Sequence, residues 1–252
     1  MKNILLIDKK EGQTPLEAMD VFRLKNKKYK DVKMTYAGRL DPMASGLLVV
    51  LVGDEVHNKD KYLGLSKEYV FDVLFGFDTD SYDILGKIKR SKLVKNIEIS
   101  DFEKKIKTNL KFFKGKFIQK YPVYSSRTVN GRPLFEYARK GVKLIPPERE
   151  VHVRSLVFKK IEVIDAESLL KNIQKRVSRV QGDFRQNEIL KVWEKKLVKN
   201  KNHFFVANFH IKCESGTYVR AIAHDLGEKV GVPALAFSIK RTKIGKWSNI
   251  SS

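Results

Sequence analysis

Thr35-Tyr36-Ala37-Gly38-Arg39-Leu40-Asp41-Pro42-Met43-Ala44-Ser45-Gly46 runs directly into Leu47-Leu48-Val49-Val50-Leu51-Val52, and the reading of this stretch sets the fold. The residues from Leu47 to Val52 are apolar without alternation. A strand of that kind has both faces covered, so it belongs inside a sheet rather than at its rim. Just before it, Asp41 lies in a loop bounded by Gly38 and Gly46 and pinned by Pro42, which fixes the backbone beside the carboxylate. An aspartate–proline pair also forms an Asx-type turn ahead of a strand and needs no chemistry to explain it. The stretch therefore gives a central strand with a carboxylate at its entrance, as turn former or as reagent.

Working outward, both periodicities recur. Thr14-Pro15-Leu16-Glu17 is a capping box with proline at the first helical position, predicting a helix to about Tyr29. Ser100-Asp101-Phe102-Glu103 repeats the device, with Phe102, Ile106 and Leu110 on one face. Ala166, Leu169, Leu170, Ile173, Val177 and Val180 follow the helical period, with Gly182 as the expected stop; Ile189, Val192, Trp193 and Leu197 mark another helix. Strands are expected at Ile4–Ile7, Tyr69–Phe75, Val153–Phe158, Ile161–Ile164, Ala207–Cys213 and Phe237–Ile244. The order is a mixed α+β chain without regular βαβ alternation. No repeat and no Pro/Gly/Ser-rich linker divides it, so residues 1–252 read as one domain.

The chain carries 51 Lys plus Arg against 29 Asp plus Glu, a formal net charge of +22, with 42% hydrophobic and 10% aromatic residues. Such a composition is globular, and the basic excess points to a polyanionic partner, most economically nucleic acid. A merely lysine-rich surface would give the same excess, but the distribution favours RNA. Basic residues interleave with Phe102, Phe112, Phe113 and Phe117, and Lys120, Arg127, Arg132, Arg139 and Lys140 follow in a Tyr- and Pro-rich segment of weak periodicity, 119–147. Basic side chains beside aromatic rings suit a phosphate backbone with exposed bases. The single cysteine, Cys213, excludes an internal disulfide and a cysteine-based zinc site. No apolar run approaches the roughly twenty residues of a membrane span, so no membrane association and a cytoplasmic location are expected.

Common catalytic signatures are missing. There is no phosphate-binding glycine loop, and the five histidines show no metal spacing. What remains is the Asp41 loop, and here a resemblance becomes specific. Gly38-Arg39-Leu40-Asp41-Pro42-Met43-Ala44-Ser45-Gly46 resembles the catalytic loop of the TruB family, the tRNA pseudouridine-55 synthases, whose aspartate is the nucleophile. Lys67-Glu68-Tyr69 and Gly76 to Gly86 resemble that family's next strand and turn. Gln119 to Arg127 and Gly131 to Gly141 resemble its RNA-gripping insertion. Cys213 to Arg220 with Asp225-Leu226-Gly227 resembles its C-S-x-G-T-Y-(I/V)-R segment, and Arg241 to Gly245 its last core strand. The matches follow the family order and span residues 2 to 247.

The resemblance implies a pseudouridine synthase fold: a mixed, largely antiparallel central sheet flanked by helices, with an RNA-gripping insertion at 119–147. It makes Asp41 the nucleophile or base at the ribose, Arg220 its cationic neighbour and Tyr69 the ring stacked on the target base. The plainer readings, which the resemblance outweighs, are a phosphate contact for Arg220 and half-buried packing for Tyr69. Arg39, Lys67, Asp83, Tyr124, Arg127, Arg132, Arg139, Tyr218 and Arg241 are expected around the substrate, Asp83 ordering the site. The expected partner is the T-arm of tRNA, with no cofactor, no metal, no obligatory protein partner and a monomeric state. A non-catalytic RNA-binding protein or tRNA chaperone on the same scaffold is the alternative, distinguished by tight, salt-sensitive binding without isomerisation. Three departures stand out. Tyr36 occupies the place of a histidine that many members have five residues before the aspartate, and Lys9-Lys10 replaces the usual Lys-Pro. Residues 165–198 are longer and more helical than the family pattern, and no C-terminal PUA-type module follows.

Overall fold

Leu47–Val52 is a central strand, extended backward to Ala44 in a computed structural model that describes residues 3–94 and 97–248. In chain order come strand β1 (Ile4–Lys9), helix α1 (Pro15–Lys25), strands β2 (Met34–Ala37) and β3 (Ala44–Val52), and the short helix α2 (Lys59–Leu63). Strands β4 (Lys67–Phe75), β5 (Phe77–Thr79) and β6 (Ile88–Ser91) lead to helix α3 (Ile99–Asn109) and strand β7 (Gly115–Lys120). A small hairpin, β8 (Thr128–Val129) and β9 (Arg132–Pro133), precedes helix α4 (Leu134–Arg139) and the long strand β10 (Glu148–Asp165). Helices α5 (Ala166–Val177) and α6 (Gln186–Leu197), strand β11 (His203–Cys213), helix α7 (Val219–Val230) and strands β12 (Ala234–Ile244) and β13 (Trp247–Ser248) complete the described chain.

Nine of these strands form one sheet in the order β1-β3-β12-β4-β11-β10-β7, with β2 and β13 pairing onto β3 and β12. Only β3 and β12 run parallel; the other described pairings are antiparallel. The apolar run explains itself here. Leu48, Val50 and Val52 pack with Ala18, Met19 and Tyr29 under α1, while Leu47, Val49 and Leu51 pack with Ala37 and Ile244. One broad face of the sheet is covered by α3 and α7, through Phe102, Ile106, Ile222 and Leu226 against Phe71, Val73 and Phe75. Toward the other face, α5 and α6 bury Leu169, Ile173 and Trp193 against Leu74, Phe77 and Leu235.

Local details depart from the sequence expectation for physical reasons. The Thr14 capping box forms in both directions, but α1 ends at Lys25, capped at Asn26, and a single 3-10 turn carries the chain to Tyr29. Helix α3 starts two residues early, with Glu98 as N-cap and no side-chain capping bond, so the Ser100 box does not form. The segments 153–158 and 161–164 are one strand, bent by irregularities at Val153/Ser155 and Phe158/Lys160 rather than broken. Helix α5 ends at Val177, five residues before Gly182.

The parallel pairing of β12 with β3 brings Arg241 opposite Gly46. Gly46 has φ +102°, and a Cβ there would lie 2.3 Å from the Arg241 carbonyl oxygen. Both the conformation and the backbone contact exclude a side chain. Gly46→Ala is therefore expected to destabilise the fold by about 2–3 kcal/mol, read as a lower urea midpoint at unchanged slope.

Candidate active site

The Asp41 loop is fixed by buried cations that bind its carbonyl groups. Arg241, 1% exposed, donates Nε to the Leu47 carbonyl at 2.8 Å and Nη2 to the Gly38 carbonyl at 3.0 Å, with Nη1 reaching Arg39 at 3.4 Å. From the other side Lys9, fully buried, donates Nζ to the carbonyls of Gln13, Lys10 and Pro42, and the Gly12 amide also bonds the Pro42 carbonyl at 2.9 Å. Burial pushes the Lys9 amine down to about 8. Between these braces the Ala44 amide closes a turn on the Asp41 carbonyl at 3.0 Å. Expected around the substrate, Arg241 lines the smaller of the two cavities beside Asp41 and spends its guanidinium on bracing the loop backbone.

Arg220, the second residue of α7 and 3% exposed, meets the loop from below. Its Nε donates to Asp41 Oδ2 at 2.8 Å, Nη1 donates to the Ser81 carbonyl and Nη2 to the Tyr124 carbonyl at 3.0 Å. Asp83 Oδ2 stands 3.7 Å from the same Nε. Each of the three guanidinium nitrogens thus has a partner, as a buried charge requires. No donor among the described residues reaches the second Asp41 oxygen, Oδ1, and the side chain is one-third exposed. The helix that carries Arg220 is itself held at its start by Gln119. That side chain accepts from the Tyr218 amide at 2.8 Å and donates to the Tyr218 carbonyl at 3.1 Å.

Asp41 separates two adjoining cavities. The smaller, about 190 Å³, is lined by Tyr69, Ile239, Tyr218 and the Gly216-Thr217 turn; the larger, about 410 Å³, by Tyr124, Phe135, Tyr36, Phe184 and Arg185. Tyr69 is 9% exposed and its phenol is pushed up to about 12, mainly by burial. Lys67 also borders the smaller cavity, but its amine donates to the Leu63 and Leu65 carbonyls at 2.7 and 2.5 Å. It therefore ties strand to loop at the edge of the cavity where it was expected. Tyr36, in the histidine's place, accepts a hydrogen bond from Arg39 at 3.1 Å at the cleft mouth.

The 119–147 segment folds over this cleft as the β8–β9 hairpin and α4. Tyr124 and Arg139 line the larger cavity, while the exposed Arg127 and Arg132 lie outside both. Arg127 sits over the Tyr121 ring, and Arg139 donates to the Asp183 carbonyl at 2.5 Å. Lys9, Gln119 and Arg185 brace or line the site and were not among the residues expected there. Lys9-Lys10 stood out only as a departure, Gln119 only as part of a motif, and Arg185 carried no signal.

Comparison with known proteins agrees with this architecture. The family profile described as TruB family pseudouridylate synthase (N terminal domain) matches residues 25–184. The tRNA pseudouridine synthase B of Lactobacillus acidophilus is 31% identical over 242 residues, covering 96% of this chain and 68% of that protein. The tRNA pseudouridine synthase B of Endomicrobium trichonymphae is 33% identical, covering 96% and 84%. Among solved structures, a chain in the crystal structure of a Cbf5-Nop10-Gar1 complex superposes with TM-score 0.57 at 19% identity, covering 98% of this chain and half of that one. That likeness shows the fold.

Asp83 offers a titration test of the site. Burial raises its carboxyl to about 6, against the opposing pull of Arg220 and the Ser81 hydroxyl. The folded state then holds the proton more tightly than the unfolded chain, so the group favours folding most at low pH. That contribution is lost as pH rises from 3.8 to about 6. The unfolding free energy of the wild type minus that of Asp83→Asn is expected to fall across this window and to be flat above it. A pH-independent difference would contradict the assignment.

Proposed function

Because this chain belongs to the TruB family of pseudouridylate synthases, we propose that it isomerises the T-loop uridine of tRNA to pseudouridine, with Asp41 as the catalytic carboxylate. The observation that carries this reading is the Asp41–Arg220 ion pair, set between two cavities of which the smaller contains Tyr69.

The reaction breaks the uracil N1–C1′ bond, turns the base and joins C5 to C1′; C5 then loses its proton and N1 gains one. Nothing is oxidised and no group leaves. Arg220 takes Oδ2 of Asp41, leaving Oδ1 for the ribose, where the carboxylate either attacks C1′ or removes the C2′ proton. Both routes need the same fixed carboxylate, and the braces from Arg241 and Lys9 supply that fixity. The smaller cavity is the place for the uracil ring, against Tyr69. A phenol held near 12 is uncharged at neutral pH, which suits stacking and suits relaying the C5 proton onward rather than acting as a standing phenolate.

A uridine in a folded loop must leave its stack first, at a cost of a few kcal/mol. The clamp at 119–147 is the element to offset that cost. Arg127 and Arg132 are exposed beside the hairpin, and the +22 charge supplies sequence-independent attraction to phosphates. Asp83 orders Arg220 from beneath.

Two measurements test the reading. A T-arm transcript is incubated with wild type and with Asp41→Ala, and pseudouridine is mapped by carbodiimide-dependent primer extension. Product is expected from the wild type only, and equal product from both would overturn the mechanism. Arg132→Ala is expected to weaken tRNA binding and lower the slope of log affinity against log salt by about 1, leaving the single-turnover rate at saturation unchanged.

A further inference from the structure

The helical region 165–198 packs beside the site, and its inner turn reaches the cleft. The connection between α5 and α6 brings Phe184 and Arg185 into the wall of the larger cavity, facing Asp41 and Arg220. Arg185 adopts φ +63° and ψ +26°, a left-handed conformation that costs an ordinary residue about 1 kcal/mol. Its amide donates to Asp183 Oδ1 at 3.2 Å, and its side chain ties the turn to the site. Nη1 donates to Asp80 Oδ2 at 2.7 Å and Nη2 to Asp80 Oδ1 at 3.3 Å, a two-pronged pair only 18% and 14% exposed. The same guanidinium lies over the Tyr124 ring, 4.2 Å from its centroid.

These two partners belong to the segments that orient Arg220. Asp80 precedes Ser81, whose carbonyl accepts from Arg220 Nη1, and Tyr124 itself supplies the carbonyl that accepts from Nη2. Asp80 is in turn fixed by the Lys87 amide at 2.9 Å. Arg220 thus bridges the two segments from inside, and Arg185 bridges them from outside. The same connection seats the clamp: the Asp183 carbonyl accepts from Arg139, whose guanidinium also lies over the Phe184 ring.

We propose that Arg185 is a positioning residue for this enzyme, an outer clip that keeps the Ser81 and Tyr124 carbonyls in register around Arg220 and so keeps Asp41 aimed at the ribose. The inference rests on the pseudouridine synthase reading. It assigns to the connection between α5 and α6 a part in the chemical step.

Single-turnover pseudouridine formation on a T-arm transcript, with RNA affinity measured separately, tests it. Arg185→Ala and Arg185→Lys, which loses the planar fork while keeping charge, are each expected to slow the chemical step about tenfold with affinity changed less than twofold. Asp80→Asn is expected to behave likewise, and the double variant Asp80→Asn/Arg185→Ala to be no slower than Arg185→Ala alone. Glu188→Gln on α6, which removes an exposed pair with Lys87, is expected to leave the rate unchanged. Thermal unfolding of each variant separates loss of positioning from loss of fold. Wild-type rates in both Arg185 variants, a loss confined to affinity, or an equal loss in Glu188→Gln would overturn the proposal. Absence of product with the wild type would instead refute the underlying function.

Discussion

The ion pair between the buried Arg220 and the partly exposed Asp41 is the interaction on which the rest of the structure depends. Burying a guanidinium costs several kcal/mol, recovered only when every donor finds a partner of good geometry. Here one carboxylate and two backbone carbonyls, from three separate segments of chain, take the Nε, Nη1 and Nη2 donors. A single side chain therefore fixes the relative positions of the loop before β3, the turn after β5 and the start of the clamp. Chemistry that needs a carboxylate at a sugar carbon needs that fixity, because a displacement of about 1 Å costs orders of magnitude in rate.

The same device appears at each joint around the site. Arg241, Lys9, Lys67 and Gln119 all direct polar side chains at main-chain carbonyl or amide groups rather than at solvent. Loops cannot hydrogen-bond their own backbone as strands do, so buried loop carbonyls must borrow donors. This protein borrows them from long side chains rooted in the sheet, or, for Arg220, at the start of a helix. The result is a loop-built site with the rigidity of the β-structure behind it.

Much of this was legible in the residues. Leu47 to Val52 declared an inner strand because it had no polar face, and Thr14 to Glu17 declared a helix start because both halves of its capping box were present. Asp41 and Arg220 were legible through motifs, since chain separation hides their contact. That Arg241 and Lys67 are buried and donate to backbone carbonyls was not legible, because a basic residue in the sequence does not disclose whether its charge is buried; that depends on pairing between β12 and β3 and on the turn before β4. The Ser100 box misled because Glu98 already ends the extended segment, leaving serine inside the helix. Arg185 was invisible because its meaning lies in Asp80 and Tyr124, distant in sequence and brought together only by the packing of α5 and α6 on the sheet.

Strand β12 has a consequence for how the protein comes into being. It enters between β3 and β4, and it carries the arginine that braces the Asp41 loop. The sheet's two halves, one built from early strands and the other from later ones, share no edge until this late segment slots between them. Most of the chain must leave the ribosome before the central layer can close, and such non-local pairing is slow to form. A nascent chain already displaying its basic clamp would therefore meet RNA before it owned a competent carboxylate. Binding would come first in the life of the molecule, and reactivity last.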